Sequence, residues 1–418
     1  MPADFFGGQQ KEKRSRLNRM LAFANGGSKR GVSRKQHKAS TTGSAPQKQF
    51  KPEIYEGLQI PAKPSREIKL KVREVVVEPV MTNDEIKGRE GTYFTDKEVK
   101  EIFDEDVDVY GMEDGKKKLL ARFRKHVLPN PLIKTGWEAY YQTAAASRNR
   151  GAAAGPIKSN SNYWKKRKPV DVNRWSARYM QNGKLSKMRV NNNVFSSVLG
   201  YFERTPFMGL PCRLTSYTQK FFNQYKHGIP FISAIDKTFK RLIPDRHAKQ
   251  VAAAKEAPAY RVADTAFSSV TINRNFQTAL HMDDGDFREG YGNLSVIERG
   301  KYSGGATLFP RFGVGFNVRT GDFLAMDVHE WHCNTELYES PADKEFNKKL
   351  PKVHHDDVST GTLGGDKPFT RISFVCYLRE KLRGCKLTDT KAYYNRIQFD
   401  PEKGDLKKLA NATRKVKR

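Results

Sequence analysis

The chain has 418 residues, 37% of them hydrophobic, and its 76 lysines and arginines against 46 acidic residues give a formal net charge of +30. Such a charge attracts polyanions, of which nucleic acid is the commonest. No apolar run approaches the ~20 residues that a membrane-spanning helix needs, so we expect no membrane partner. The mean hydropathy of −0.73 predicts that much of the chain is loop or tail.

Cysteine usage is sparse, and no two cysteines form a C-x-x-C pair. The four cysteines are Cys212, Cys333, Cys376 and Cys385. This spacing predicts no structural zinc. With no cysteine framework and no secretory signal, the sequence favours a reducing compartment. We expect the nucleus if the source is eukaryotic, and otherwise the cytoplasm.

The first half of the chain divides into a tail and a region with helices. Residues 1–65 contain lysine and arginine clusters but few apolar anchors, which predicts a disordered basic tail. Residues 66–190 form the second region, helical and basic. A strand is predicted within 68–79, helices begin after Thr82 and Thr95, and residues 116–127 have helical spacing.

Two segments near the end of this region have unusual composition. Residues 144–155 are of low complexity, which predicts a mobile surface loop. Residues 162–189 interleave cations with aromatic side chains, a pattern that suits phosphate contact together with base stacking. The aromatic residues Trp164 and Trp175 fit a second interpretation equally well, in which they anchor a basic surface to the core.

Residues 191–398 form the third region, which is rich in short predicted strands. Short strands separated by Gly, Pro and Asp follow one another at jelly-roll rather than βαβ spacing. We therefore predict an α+β fold, with a double-stranded β-helix (jelly-roll) core and flanking helices. The segment 339–367 is predicted to be a surface insertion loop, and its His354-His355-Asp356-Asp357 run a solvated stretch rather than a metal site. Residues 399–418 form a basic C-terminal tail.

An imidazole and a carboxylate are spaced for one metal ion. His281 and Asp283 are two residues apart, so on a strand their side chains point to the same face. A non-haem Fe(II) oxygenase needs two imidazoles and one carboxylate on one side of the metal. His332, on a distant predicted strand, is the best candidate for the third ligand.

A guanidinium follows at the start of the last predicted strand. A 2-oxo acid cosubstrate needs a cation for its distal carboxylate, and Arg371 offers a planar, bidentate fork that a lysine would not match. The expected cofactors are therefore Fe(II) and 2-oxoglutarate, with O₂ as cosubstrate.

Several ordered motifs carry a family resemblance over roughly residues 191–379. They are His281-x-Asp283-x-x-Asp286, Tyr302-Ser303-Gly304-Gly305, His329-Glu330-Trp331-His332-x-Asn334-Thr335 and Arg371-Ile372-Ser373-x-Val375-x-Tyr377. Together they resemble the TET/JBP family of 2-oxoglutarate- and Fe(II)-dependent dioxygenases, which oxidise the methyl groups of pyrimidines in nucleic acid. The family motif places the metal ligand before Asn334-Thr335, which favours His332 over His329.

The resemblance also implies residues that contact the substrate base. Asp286 would read its exocyclic amine edge, although a turn cap is an alternative role. Tyr377 and Arg379 would lie against its faces. One asparagine of the run 191–193, taken as Asn192, would touch the base. Arg213 would meet phosphate or the cosubstrate.

These assignments imply a DNA substrate. A base inside a duplex has to be flipped out to reach buried iron, and an acceptor carboxylate at Asp286 suits the N4 amine of cytosine better than the O4 of thymine. We therefore expect a monomer that oxidises 5-methylcytosine in methylated DNA to 5-hydroxymethylcytosine and further. Thymine hydroxylation, N6-methyladenine demethylation and a non-catalytic DNA-binding role on a dioxygenase scaffold remain open alternatives.

Overall fold

The computed structural model describes residues 50–353 and 369–401, and these contain nineteen strands and eight α-helices. The strands are β1 (Arg73–Val77), β2 (Glu101–Phe103), β3 (Val107–Glu113), β4 (Lys116–Arg124), β5 (Ala146–Ser147), β6 (Pro169–Val170), β7 (Arg178–Gln181), β8 (Lys184–Leu185), β9 (Val194–Phe202), β10 (Arg213–Leu214), β11 (Ser269–Arg274), β12 (Gly292–Arg299), β13 (Ser303–Gly304), β14 (Thr307–Phe309), β15 (Val314–Phe316), β16 (Phe323–Met326), β17 (Cys333–Asn334), β18 (Leu337–Tyr338) and β19 (Thr370–Tyr377). The helices are α1 (Asn83–Gly88), α2 (Asn130–Tyr140), α3 (Asn162–Lys165), α4 (Ser216–Lys220), α5 (Phe222–Leu242), α6 (Pro244–Lys255), α7 (Pro341–Lys348) and α8 (Leu387–Ile397).

Two sheets face each other to form the core. The larger has the strand order β1-β3-β4-β16-β12-β19-β11-β9-β10, and the smaller has the order β17-β14-β15-β2. Phe316 of the small sheet packs against Phe103, Phe123 and Phe309, with ring centroids 5.6, 5.8 and 6.0 Å away. Apolar side chains of both sheets thus fill one interior. This is the jelly-roll core with flanking helices that the sequence predicts.

Helices α2 and α5 cover the outer face of the large sheet. Phe374 of β19 lies 5.0 Å from the ring of Phe231 in α5 and 5.6 Å from that of Tyr140 in α2. Gly136 lets the two helices approach, because a Cβ there would lie 2.7 Å from Phe231. Since side chains alternate along a strand, the odd-numbered residues of β19 point the other way, into the space between the sheets.

The predicted helix at residues 116–127 is wrong, because this segment contains β4. Strand β4 pairs with β3 on one side and with β16 on the other, and its Phe123 lies opposite Leu324. The buried residues Leu120, Phe123 and Arg124 occur at i, i+3 and i+4, a spacing that also fits one face of a helix. Pairing with two neighbouring strands decides the outcome, which shows how sheet context overrides local preference. Strands from residues 66–190 thereby complete the large sheet.

The predicted mobile loop at residues 144–155 is held at several points. Strand β5 pairs with β9, and the following turn buries Ala152, Ala153 and Ala154. The low complexity of this segment reflects small side chains that fit against the core.

The sequence shows no cysteine framework, but two of the four cysteines are bonded to each other. A disulfide joins Cys212 to Cys385, with the Cα atoms 5.9 Å apart, and links the start of β10 to the chain before α8. Cys333 and Cys376 are free and buried. Cysteine usage therefore gives no support to the expected reducing compartment.

The predicted tails and insertion lie partly outside the described residues. Of residues 1–65 the structure describes 50–65, of residues 399–418 it describes 399–401, and of the insertion 339–367 it describes 339–353. The last of these contains α7, which begins with a capping box between Ser340 and Asp343. The run His354-His355-Asp356-Asp357 falls outside. None of the described helices has the length and apolar character that crossing a membrane requires.

A buried ion pair beside β4 gives a test of the fold. The Arg124 side chain is 0% exposed, and its Nη1 lies 2.7 Å from Oδ1 of Asp108 in β3. We predict that Asp108→Ala lowers the free energy of unfolding by about 3–5 kcal/mol, because it leaves a buried guanidinium uncompensated. Chemical denaturation measures this change.

The control removes an exposed ion pair between β1 and β4. Glu74→Ala disrupts the pair with Lys117, which lies at the surface, and should change the free energy of unfolding by less than about 1 kcal/mol. Equal effects of the two substitutions would contradict the buried role of Asp108.

Candidate active site

A short backbone bridge brings two distant histidines together. His281 and His332 form an isolated antiparallel bridge, in which each backbone N–H donates to the other's carbonyl at 3.0 Å. Their ring centroids are consequently 4.4 Å apart. Asp283 lies two residues beyond His281, and its carboxylate oxygens are 3.9 Å from Nε2 of His281 and 3.8 Å from Nε2 of His332. One possible donor atom from each of the three residues lies within 4.8 Å of the others.

Backbone carbonyls orient both imidazole rings. Nδ1 of His281 lies 2.8 Å from the carbonyl of Ala279, and Nδ1 of His332 lies 2.9 Å from that of Glu330. A carbonyl oxygen only accepts, so each Nδ1 carries the proton and each Nε2 keeps its lone pair. Burial, followed by the neighbouring His332, lowers the pKa of His281 to about 4. The His281 ring is therefore neutral at neutral pH, the state in which an imidazole binds metal.

The donor set fits ferrous iron. Two imidazole nitrogens and one carboxylate oxygen, all directed at one point, make up the two-histidine, one-carboxylate set of non-haem Fe(II) oxygenases. The carbonyls behind Nδ1 fix the ring orientation, as outer hydrogen bonds do in metal sites generally.

Arg371 is a buried cation that lacks a full set of partners. It is 4% exposed and donates from Nη2 to the carbonyl of Gly305 at 3.1 Å. Its Nε is buried and has no hydrogen-bond partner among the described residues. Gly305 has a positive φ of 78°, and a Cβ at this position would lie 3.0 Å from Nε. A glycine is needed here, and the arrangement leaves the guanidinium available to an anion.

One cavity of about 310 Å³ contains these groups. Its wall includes the three candidate metal ligands, Arg371, and the predicted base contacts Asp286, Tyr377 and Arg379. Alternate residues of β19, from Arg371 through Ser373 and Val375 to Tyr377, line it. The strand thus carries the predicted cosubstrate cation, Arg371, and one predicted base contact, Tyr377, along one wall.

The predicted base contacts differ in how they are held. The Tyr377 hydroxyl lies 3.2 Å from Oγ1 of Thr271. Arg379 donates from Nε and Nη2 to the two carboxylate oxygens of Glu203, and its guanidinium lies 5.1 Å from the ring centre of Phe202. Nothing in the sequence pointed to Glu203, which comes from the end of β9. This bidentate pair neutralises Arg379 and fixes the plane of its guanidinium.

Asp286 is buried with one oxygen unpaired. Its Oδ2 has no hydrogen-bond partner among the described residues. Burial, and secondly the charge of Asp283, raise the pKa of Asp286 well above its ordinary value. A carboxyl in such a place favours its neutral form, which offers one donor and one acceptor.

Two predicted substrate contacts do not line the cavity. The Asn192 side chain is buried away from the cavity, where its Nδ2 donates to the carbonyls of Ala154 and Pro156 and its Oδ1 accepts from Trp164. Arg213 donates to the carbonyl of Pro211 at 2.9 Å, and it does not line the cavity either. Both residues were predicted to contact the substrate because of their residue type. The direction in which each side chain points, however, depends on the path of the surrounding chain.

The cavity wall contains instead two residues that sequence reasoning missed. Asn149 and Arg150 lie on the segment predicted to be a mobile loop. Arg150 makes no side-chain hydrogen bond or ion pair with any described residue, and burial lowers its pKa. The only available signal was a polar Asn-Arg pair standing among alanines and glycines.

The structure also shows where the two tryptophans and His329 lie. Trp164 belongs to a buried cluster with Tyr163 and Ala177. Trp175 packs over Gly91, where a Cβ would lie 2.5 Å from the indole. His329 is not part of the candidate metal site, and its Nδ1 is buried with no partner among the described residues.

Comparison with known proteins gives a consistent picture for the segment that carries the cavity. Residues 197–380 match the sequence model of the Tet_JBP family, the oxygenase domain of the 2OGFeDO superfamily. The chain is 36% identical over 154 residues to thymine dioxygenase JBP1 of Trypanosoma brucei brucei, a match that covers 37% of this chain and 18% of that protein. It is 30% identical over 208 residues to the bifunctional helicase and thymine dioxygenase JBP2 of Leishmania infantum, covering 48% of this chain and 16% of that protein.

The chain spans about a fifth or less of the length of these curated relatives. Among solved structures it is similar to NgTET1 in complex with 5mC DNA, with a TM-score of 0.40 and 12% identity over 75% of this chain and 96% of that one.

Substitution of each histidine should show whether His332 or the nearby His329 is the metal ligand. We predict that His332→Ala weakens Fe(II) binding by more than about 100-fold, because even the loss of an outer partner of a ligand costs 10–100-fold. His329→Ala should bind Fe(II) like the unmodified protein. Anaerobic equilibrium dialysis measures the affinities, and circular dichroism checks that both variants are folded. Normal Fe(II) binding by His332→Ala would contradict the assignment.

Proposed function

We propose that the protein oxidises the C5-methyl group of a pyrimidine in DNA, and the match of residues 197–380 to the Tet_JBP model, the oxygenase domain of the 2OGFeDO superfamily, supports this proposal. One observation carries the proposal. The two-histidine, one-carboxylate cluster, the incompletely paired Arg371 and the predicted base contacts all come from residues 197–380, and they line a single cavity. Fe(II) and 2-oxoglutarate are the cofactors of the superfamily.

Different residues of the cavity would hold the iron and the 2-oxoglutarate. His281, Asp283 and His332 would hold the iron through Nε2, a carboxylate oxygen and Nε2. Arg371 would bind the distal carboxylate of 2-oxoglutarate, since its guanidinium is buried with hydrogen-bonding capacity unused. When bound, the iron and the 2-oxo acid activate O₂, so that the methyl group becomes hydroxymethyl while 2-oxoglutarate becomes succinate and CO₂.

The protein's own contribution is placement and exclusion of water. Arg371 and Tyr377 are six residues apart on β19, a distance of about 20 Å along an extended strand. The metal ligands line the same cavity as both residues. We infer that the cosubstrate and the base approach the metal from the two ends of this strand. A base bound there has left the duplex, which is the arrangement that enzymes acting on buried atoms of bases use.

Two bases are candidates, and each is favoured by an observation. An ionised Asp286 would accept from the N4 amine of 5-methylcytosine, as the sequence argument assumed. A neutral Asp286 offers a donor and an acceptor, and so pairs with either the N4/N3 edge of cytosine or the O4/N3 edge of thymine. The relatives named thymine dioxygenases support thymine. We propose 5-methylcytosine and thymine as the two substrates to be tested together.

The net charge supports DNA as the partner. A charge of +30 favours association with a polyanion. A role on DNA also supports a nuclear location in a eukaryotic source.

Product analysis tests the proposed function directly. We expect the protein, incubated with duplex DNA containing 5-methylcytosine and thymine, Fe(II), 2-oxoglutarate and O₂, to form 5-hydroxymethylcytosine or 5-hydroxymethyluracil, detected by mass spectrometry of nucleosides. His332→Ala is the negative control and His329→Ala the matched active one. Absence of both products, together with normal Fe(II) binding, would rule out C5-methyl oxidation. Release of formaldehyde from N6-methyladenine would point to that alternative.

Base selection by Asp286 is tested with two substitutions. We predict that Asp286→Ala lowers kcat/KM for the preferred base by about 5- to 150-fold, because one good pairing with a base edge contributes about 1–3 kcal/mol. Asp286→Asn keeps one donor and one acceptor and should retain more activity than Asp286→Ala. The measurement is kcat/KM on oligonucleotides that contain only one of the two bases. An unchanged ratio in Asp286→Ala would remove this residue from base recognition.

A further inference from the structure

Residues 161–190, which we term the basic lobe, carry a strongly one-sided charge. The segment contains nine lysines and arginines and a single acidic residue. The acid, Asp171, is paired with Arg189 at 2.6 Å. Six exposed cations of the lobe make no side-chain hydrogen bond or ion pair with another described residue: Lys165, Lys166, Lys168, Arg174, Lys184 and Lys187. These charges are therefore directed at solvent or at a partner.

The basic lobe is a folded unit rather than a tail. Strands β6, β7 and β8 form a small sheet, and beneath it Tyr163, Trp164 and Ala177 form a buried cluster. The Tyr163 and Trp164 rings meet edge to face with centroids 5.0 Å apart. The aromatic side chains that alternate with the cations in sequence thus lie inside, and they hold the cations in defined positions outside.

Two asparagines fasten the basic lobe to the wall of the cavity. Oδ1 of Asn192 accepts from the indole of Trp164 at 2.9 Å, while its Nδ2 donates to the carbonyls of Ala154 and Pro156. Oδ1 of Asn191 accepts from the backbone of Gly151 at 2.9 Å. Gly151 lines the cavity next to Asn149 and Arg150. The lobe and this part of the wall are consequently one hydrogen-bonded assembly.

We propose that the basic lobe is the surface on which the phosphate backbone of DNA docks, beside the opening through which the base reaches the cavity. The inference rests on the proposed function. Phosphate contacts fix the position of a protein on a duplex without reading its sequence, and six unpaired cations on a rigid surface suit that task. The exposed side chain of Met188, 71% accessible between Lys187 and Arg189, adds apolar surface next to the cations.

DNA docked on the basic lobe would help to position the base in the cavity, because the lobe is hydrogen-bonded to the cavity wall. A phosphate chain held at the lobe fixes the nucleotide relative to Asn149 and Arg150, because the two asparagines prevent the lobe from moving independently of the wall. The lobe should therefore lower the KM for DNA and leave kcat at saturating DNA unchanged.

The experiment compares two triple variants of the full chain. K166Q/K184Q/K187Q removes three unpaired lysines of the basic lobe, and K237Q/K240Q/K255Q removes three exposed lysines from α5 and α6. Binding to an unmethylated duplex is measured by fluorescence anisotropy between about 50 and 200 mM salt. Each lost phosphate contact reduces the slope of log K against log salt by about 0.9, so we expect a slope shallower by about 2–3 in the lobe variant and unchanged in the control.

Turnover and competition complete the test. In the lobe variant the KM for DNA should rise at least about 10-fold, as a slope change of that size implies, with kcat unchanged. Equal slope changes in both variants would overturn the proposal. So would polyglutamate that competes with labelled DNA for the protein as well as unlabelled DNA does at the same concentration of charge, because the lobe would then bind an acidic protein equally well. Circular dichroism and Fe(II) binding check folding.

The two proposals fail in different ways. Lobe-dependent DNA binding without any oxidised base would reject the proposed function and leave the docking surface in place. Oxidised base formed with the same KM and salt slope in the lobe variant and the unmodified protein would reject the docking surface alone.

Discussion

The active-site cavity depends on one pair of backbone hydrogen bonds, those that join His281 to His332. Each is 3.0 Å long, and together they place two imidazoles from distant parts of the chain within 4.4 Å of each other. Without this bridge the His281 and Asp283 pair would be a common surface pattern. The carbonyls of Ala279 and Glu330 then fix which nitrogen of each ring faces Asp283. Local backbone geometry thus creates the metal-binding chemistry.

Strand β19 connects the fold to that chemistry. Its even-numbered residues pack against α2 and α5, as Phe374 does with Phe231, and this packing holds the strand in place. Its odd-numbered residues form a continuous wall from Arg371 to Tyr377. Because the side-chain period of a strand is two, a slip of one residue would exchange the two sets. The hydrophobic packing of one face therefore fixes the position of every functional group on the other.

Charge in the cavity is distributed unequally between its three arginines. Arg379 is neutralised by Glu203, whereas Arg371 and Arg150 have no acidic partner among the described residues. The two unpaired guanidiniums favour anions, and the paired one offers a flat face without excess charge. This distribution supports the proposal that the cavity binds an acidic cosubstrate beside an uncharged base, and the net charge of +30 supports a polyanionic partner.

The sequence by itself determined what local spacing controls. The two-residue separation of His281 and Asp283 indicated that both could reach one metal, although the structure has only an isolated bridge at His281 and no strand there. The period of β19 placed Arg371 and Tyr377 on one wall, because side chains alternate along a strand. Tertiary structure decided the rest. It made residues 116–124 a strand, selected Asn149 rather than Asn192 for the cavity, and brought Glu203 to its arginine. Such outcomes follow from contacts between distant segments, and no local pattern records which segments will meet.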